Sequence, residues 1–169
     1  MAELTANWYA IYVKSRHEFK VVERLTKSGI EAFLPAVERI RKWKDRKKLI
    51  KFPLFPGYLF VRIEQSYDLI LRTLKTPGVV RMLYNANGQP EAVPEDQIIP
   101  LKIAIENKKE IDPYPYLKEG QTVRIKSGAF QGITGILKKK EKTHYLIVSI
   151  DILKRSVCIK IDTSLVELV

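Results

Sequence analysis

Side chains with the usual catalytic or metal-binding repertoire are scarce in this 169-residue chain: two histidines, His17 and His144, one cysteine, Cys158, and carboxylates scattered singly. One cysteine supplies neither a zinc quartet nor an internal disulfide, and the histidines fall in different predicted domains. No nucleophile elbow, phosphate-cradling glycine loop or HExxH is present. The expectation is a protein that is not an enzyme and holds no cofactor and no metal. What remains is the chemistry of binding, concentrated in two adjacent stretches. Between Arg39 and Lys51 there are eight Lys/Arg against one acid, with Trp43 among them. Directly after comes KFPLFPGYLFV, residues 51–61, which sets four aromatics beside two prolines and a glycine.

The elements that must position these groups follow from local signals. Pro53 and Pro56 lack N–H donors and force extended neighbours, so the chain turns near Pro56-Gly57 and runs on as a strand. Alternation along that strand gives Leu59, Val61 and Ile63 a core face, and gives Tyr58, Phe60 and Arg62 a second face that the arginine marks as outward-looking. Residues 36–42 and 47–52 read as the arms of a hairpin whose tip, Trp43 to Arg46, projects as a cationic finger. Upstream, WYAIYV (8–13) reads as a strand. Ser15-Arg16-His17-Glu18 reads as a capping box opening a helix over 16–28, with Phe19, Val22 and Leu25 on its apolar side and Gly29 as its left-handed stop. Arg16, Lys20, Arg24 and Lys27 then form one basic stripe.

Further on, the pattern predicts a short helix over 67–74, a strand over 79–84, a turn at Asn87-Gly88, and a helix from Glu95 to about Lys109 that Pro100 kinks or divides. EIDPYPY (110–116) reads as a semi-rigid connector. Beyond it come five β runs, over 122–126, 133–140, 144–150, 155–161 and 165–168, punctuated by Gly128, Gly132 and Gly135, which suggest a small barrel.

A net charge of +11 and a pI near 9.7 select anionic partners, nucleic acid first. Trp8 to Val13 is too short for a leader, and no segment approaches bilayer-spanning length, so the expectation is a cytoplasmic monomer without membrane contact.

Two motif sets in order give the chain a resemblance to the NusG family of transcription elongation factors. WYAIYVKSRHE, FPLFPGYLFVRI and LKTPGVVRML resemble the family's N-terminal domain; EGQTVRIKSGAFQGITGIL, with Gly128, Phe130, Gly132 and Gly135 in place, resembles its KOW domain. The resemblance implies an α+β N-terminal domain over 1–109, an antiparallel sheet flanked by helices. A linker over 110–116 and an all-β KOW domain over 117–169, a small five-stranded Src-homology-3-like barrel, follow. It implies RNA polymerase as partner, docked by its clamp helices on a hydrophobic cavity to which Phe55, Tyr58 and Phe60 contribute, with Leu54, Pro56, Trp8 and Tyr12 as walls. A second contact through 66–72 closes the polymerase and suppresses pausing.

The stretches SRHEFK, EAFLPAVERIRKWKDRKK and PLFPGYLF resemble specialised paralogues of the RfaH and UpxY kind, antiterminators acting on particular operons. The resemblance then implies nucleic-acid contact, with the non-template DNA strand or nascent RNA, through Lys14, Arg16, His17, Lys20 and Arg24, beside the hairpin's Arg41, Lys42, Lys44, Arg46, Lys47 and Lys48. SIDILKRS, longer than the housekeeping pattern, implies a partner loop with Ile150, Ile152, Leu153, Lys154 and Arg155, facing a small-subunit ribosomal protein rather than the termination factor Rho. The alternatives are a housekeeping NusG-type factor linking polymerase to Rho or the ribosome, and a general RNA-binding KOW protein.

Overall fold

The alternation of WYAIYV becomes the central strand of the first sheet in the computed structural model, which describes residues 5–169. Strand β1 (Ala6–Val13) is followed by α1 (Glu18–Lys27), β2 (Glu31–Phe33), β3 (Ala36–Trp43), β4 (Arg46–Pro53), β5 (Tyr58–Glu64), α2 (Tyr67–Lys75), β6 (Val79–Met82) and β7 (Ala92–Val93). The sheet runs β2-β5-β1-β6, with β7 also pairing β1, and every pairing is antiparallel. Tyr9, Ile11 and Val13 of β1 lie with Leu59, Val61 and Ile63 of β5 in one core that Val21, Leu25, Ile30 and Met82 complete. The core face of the Tyr58–Ile63 strand is thus the one its alternation predicts. Each aliphatic side chain buried there contributes about 1.5–3 kcal/mol, which fixes the sheet's register.

Helix α1 differs from expectation at its start and in its phase. It opens at Glu18 with no side-chain cap, and Arg16 sits outside it at φ 65°. Its buried side chains are Glu18, Val21 and Leu25, whereas Phe19 is exposed beneath the Lys51 ammonium. The helix ends as predicted. Gly29 adopts φ +82°, and Ile30 and Gly29 donate to the carbonyls of Leu25 and Thr26, a Schellman closure that draws Ile30 into the core.

Strands β3 and β4 form a separate two-stranded sheet in register from Ala36↔Pro53 to Trp43↔Arg46, so the tip is the pair Lys44-Asp45 and the predicted finger is present. Beyond this tip the outer halves of both arms are solvent-exposed.

The described residues divide into two compact units, one up to Glu95 and one from Asp96 to Val169. Helix α3 (Glu95–Glu106) passes through Pro100 as one helix rather than dividing there. It is followed by β8 (Ile111–Tyr114), β9 (Thr122–Ile125), β10 (Thr134–Lys140), β11 (Thr143–Ile150), β12 (Arg155–Ile161) and β13 (Val166–Leu168). These make one sheet in the order β13-β9-β10-β11-β12-β8, six strands where five were expected. The sixth is the stretch read as a connector: Ile111 to Tyr114 pairs with β12, and its one proline, Pro113, is tolerated because β8 is an edge strand that need donate on one side only. The KOW-like glycines have separate reasons. Gly128 and Gly132 hold φ +87°, while a Cβ on Gly135 would lie 2.7 Å from the Ile147 carbonyl oxygen and 2.7 Å from Leu146 Cδ1. No helix among the described residues is long and apolar enough to cross a membrane.

Candidate functional site

The FPLFPGYLF segment is held by a chain of short hydrogen bonds. Leu54 N–H donates to the Pro35 carbonyl at 2.8 Å, Val13 N–H to the Gly57 carbonyl at 2.8 Å, and Tyr58 N–H to the Phe55 carbonyl at 3.0 Å. The fourth contact is the unexpected one: Gly57 N–H donates to Glu18 Oε1 at 3.0 Å, both residues being buried. Glu18 does not close a capping box on its own helix. It reaches across to the turn, because a buried amide left unpaired there would cost more than an uncapped, solvated helix start. Gly57 has φ +88° and lies against the Tyr12 ring, so the turn accepts no side chain at that position.

Register places Trp8 opposite Arg62, Ala10 opposite Phe60 and Tyr12 opposite Tyr58, with Phe33 beside Phe60 and Arg81 beside Tyr12. This is the second face of the sheet, and the structure corrects the expectation that it is an open aromatic socket. Phe60 is 0% exposed, Phe55 1%, Leu54 2% and Trp8 4%. The arginine that marked the face as outward is itself exposed, but it lies 3.7 Å from the Glu31 carboxylate on the adjacent strand, so Arg62 reports on its own rim position and not on the burial of Phe60. Trp8, Phe33 and Phe60 form a ring series at centroid separations of 6.3 Å and 6.3 Å.

Of the predicted docking residues, Tyr12 and Tyr58 are half-buried and Pro56 is exposed. The two tyrosine rings pack at 5.3 Å with a 54° tilt, and the Arg81 guanidinium lies 5.9 Å from the Tyr12 ring. The surface is therefore a tyrosine pair flanked by a proline and capped by an arginine, with Phe60 buried farther along the same sheet face. Its side chains are of the types that anchor protein interfaces. Arg81 lies inside the LKTPGVVRML stretch, next to the last residue of β6, and was not among the expected docking residues.

The predicted nucleic-acid residues separate into two groups. Lys14, Arg16 and Lys20 are exposed, while the side chain of Arg24 donates from Nη1 to the Pro77 carbonyl at 2.7 Å. His17 and Arg24 converge with Val21 on the Pro77-Gly78 turn, and Lys14 N–H donates to the Gly78 carbonyl at 2.9 Å. Lys27 pairs with Glu23 at 2.8 Å. Half of the stripe thus serves the fold. On the hairpin, Arg41, Lys42, Lys44, Arg46, Lys47 and Lys48 are all exposed, as are Ile40, Trp43 and Leu49, with the Arg41 guanidinium 4.7 Å from the Phe52 ring.

The predicted partner loop is pinned at its base. Ile150 is a core residue at 0% exposure, a correction to its expected role as a contact, while Ile152 and Leu153 are half-buried and Lys154 and Arg155 exposed. Asp151 gathers four bonds: Tyr116 OH donates to Oδ1 at 2.8 Å, Gln97 Nε2 and Lys118 Nζ donate to Oδ2 at 3.0 Å and 3.1 Å, and its own N–H donates to Gln97 Oε1 at 3.1 Å. Burial would raise this carboxyl, but the bonds from Tyr116, Lys118 and Gln97, with the Lys118 charge, outweigh it and hold the group below its ordinary value of 3.8.

With this geometry in place, comparison with known proteins identifies the chain's relatives. Residues 6–102 match the family model described as "Transcription termination factor nusG". The chain belongs to the NusG family. The Campylobacter jejuni protein named "Transcription termination/antitermination protein NusG" is 28% identical over 173 residues, covering 96% of this chain and 97% of that protein. The Bacillus subtilis protein of the same name is 27% identical, covering 79% and 81%. The solved structure described as "Domain interaction in Thermotoga maritima NusG" superposes with a TM-score of 0.58 at 23% identity over 99% of both chains, and so shares the fold. The matched stretch of this NusG-family chain contains the whole Glu18–Gly57 arrangement and the hairpin.

Two outcomes follow. Glu18→Ala strands the Gly57 amide and lowers stability by about 1–3 kcal/mol, with loss of tyrosine near-ultraviolet dichroism, whereas Glu18→Gln keeps an acceptor and most of the stability; urea unfolding of both variants measures this. The Asp151 carboxyl binds its proton more weakly folded than unfolded, so its contribution is present above the ordinary value of 3.8 and is lost as pH falls through the lower folded one. Acid unfolding curves that are shallower for Asp151→Asn than for the parent in that window check the sign.

Proposed function

We propose that this chain is a transcription elongation factor that binds RNA polymerase through the Tyr12–Tyr58–Pro56–Arg81 surface, suppresses pausing and promotes antitermination. The supporting observation is the tyrosine pair itself: two half-buried rings 5.3 Å apart, one on β1 and one opening β5 beside the turn that Glu18 and Gly57 lock, inside the region that carries the family match. Rigid aromatic anchors lose little side-chain entropy on docking and desolvate large areas, the properties of interface hot spots. Phe55, Phe60, Leu54 and Trp8 are buried, so they serve the fold of this segment rather than direct contact with a partner. A factor that grips only the closed, nucleic-acid-bound form of the polymerase shifts its population toward that form by the difference in affinity, and needs no bond chemistry.

The exposed hairpin cations and Trp43, with Lys14, Arg16 and Lys20, supply contact with nucleic acid, either the non-template DNA strand or nascent RNA. Arg24, committed to Pro77, acts as a positioning charge rather than a reader of bases. Ile152 and Leu153 with Lys154 and Arg155 form the surface for a small-subunit ribosomal protein. A dedicated role on a few operons, in the manner of RfaH and UpxY, rests on the SRHEFK and EAFLPAVERIRKWKDRKK stretches. The names of the curated relatives favour a second reading, a general NusG-type factor.

Capture of RNA polymerase tests the anchors. Tyr12→Ala/Tyr58→Ala weakens binding by at least about 2 kcal/mol, roughly thirtyfold, in a protein that remains folded. Undiminished capture by that folded variant contradicts the docking surface. Sequencing of nascent transcripts with and without the protein decides its range: changes confined to a few operons fit the dedicated role, and changes across many genes fit the general one.

A further inference from the structure

The C-terminal unit carries a charged cleft that the proposed function does not use. It has a volume of about 550 Å³ and lies between the chain leaving α3 and the ends of β8, β11 and β12. Lys108, Lys109, Lys142 and Lys160 line it, against the carboxylates of Glu110 and Asp162. Both carboxylates are engaged. Glu110 lies 3.7 Å from Lys160 Nζ, and Asp162 Oδ1 accepts the Ser164 N–H at 2.9 Å, capping a short helical turn. Lys108, Lys109 and Lys142 remain exposed on the rim with no carboxylate of the lining assigned to them.

The backbone shows how these lysines are gathered. Lys109 and Lys108 close α3 by donating to the carbonyls of Ala104 and Ile105, and Lys108 takes the left-handed position at φ 51° that a glycine would occupy at lower cost. Beside the cleft and outside its lining, register sets Lys138 opposite Tyr145 and Tyr145 opposite the lining residue Lys160, so these three side chains leave the same face of the sheet. Neighbouring strands are about 4.8 Å apart, which places the two ammonium-bearing residues roughly 10 Å apart with a half-buried ring between them.

We propose that this cleft is a second nucleic-acid contact, with its lysines on the phosphodiester backbone of a strand and Tyr145, outside the lining but next to Lys160 on the sheet, available to an unpaired base. The chemistry of the lining favours that occupant. Ile161 is the sole aliphatic side chain in it, so the cleft lacks the apolar anchors a peptide requires, and flexible ammonium groups suit phosphates as point charges better than they suit paired carboxylates. Cations flanking an aromatic ring are the arrangement that holds single strands without regard to sequence. The site does not depend on the polymerase-docking reading or on the hairpin.

The test uses the full chain and a short labelled RNA of mixed sequence, with single-stranded DNA, inorganic phosphate and polyglutamate as further probes. Lys109→Glu/Lys142→Glu lowers RNA affinity about tenfold and reduces the salt slope by about 1.4, two single-strand phosphate contacts at roughly 0.7 each, while the doubly Arg-substituted protein retains both. The hairpin variant Lys44→Glu/Lys48→Glu lowers affinity separately, and the two losses add in free energy. In the unaltered protein, RNA moves the amide resonances of Lys109, Lys142 and Lys160; DNA moving the same amides supports the same site. An unchanged slope in the cleft variant, cleft amides that stay still, or amides that respond to inorganic phosphate or polyglutamate but not to either nucleic acid overturns the proposal.

Discussion

A single hydrogen bond between a buried glutamate and a buried glycine amide organises the surface on which this protein's proposed work depends. Gly57 must be glycine because its backbone is left-handed and because the Tyr12 ring fills the space a side chain would need. Its N–H then points away from any strand partner and finds Glu18. With Val13 holding the Gly57 carbonyl, the turn has no freedom to swing, and the Tyr12–Tyr58 pair inherits that rigidity. Docking by preordered rings loses less entropy than docking by mobile ones, so the interaction inside the fold becomes affinity at its surface.

Much of the fold was legible because it obeys short-range rules. Alternation gave the core face of β5 and all five C-terminal β runs, and the cationic hairpin was expected with a tip over Trp43 to Arg46, where pairing in fact continues to Trp43↔Arg46 and leaves only Lys44-Asp45 as the turn. What escaped was decided by partners distant in sequence. Glu18 sits where a capping box would place it, and only the fold shows that Gly57, remote along the chain, makes the better use of its carboxyl. Alternation likewise told which residues share a face with Arg62, but not that Glu31 pairs with the arginine or that Phe60 is covered. The prolines of 110–116 signalled an extended chain correctly and concealed its pairing with β12, since an edge strand and a free connector look alike locally. On α1 the apolar positions Phe19, Val21, Val22 and Leu25 fit two neighbouring phases, and packing on the sheet chose the one that exposes Phe19.

The basic charge is likewise put to several uses. Arg24 fastens the Pro77-Gly78 turn, Arg62 meets Glu31 and Lys118 helps to hold Asp151, so these cations belong to the fold. The hairpin tip, the start of α1 and the cleft's Lys108, Lys109 and Lys142 carry exposed charge, and these are the regions the proposals give to nucleic acid. The proposed docking surface is smaller than an open socket would be.

Site-specific photo-crosslinking from position 58, with an azidophenylalanine in place of Tyr58 and RNA polymerase in solution, tests the central claim most directly. The account predicts an adduct with the polymerase's largest subunit that disappears when Tyr12 is also replaced by alanine. A chain that co-elutes with polymerase yet gives no adduct from position 58, while positions on the hairpin do, would contradict it.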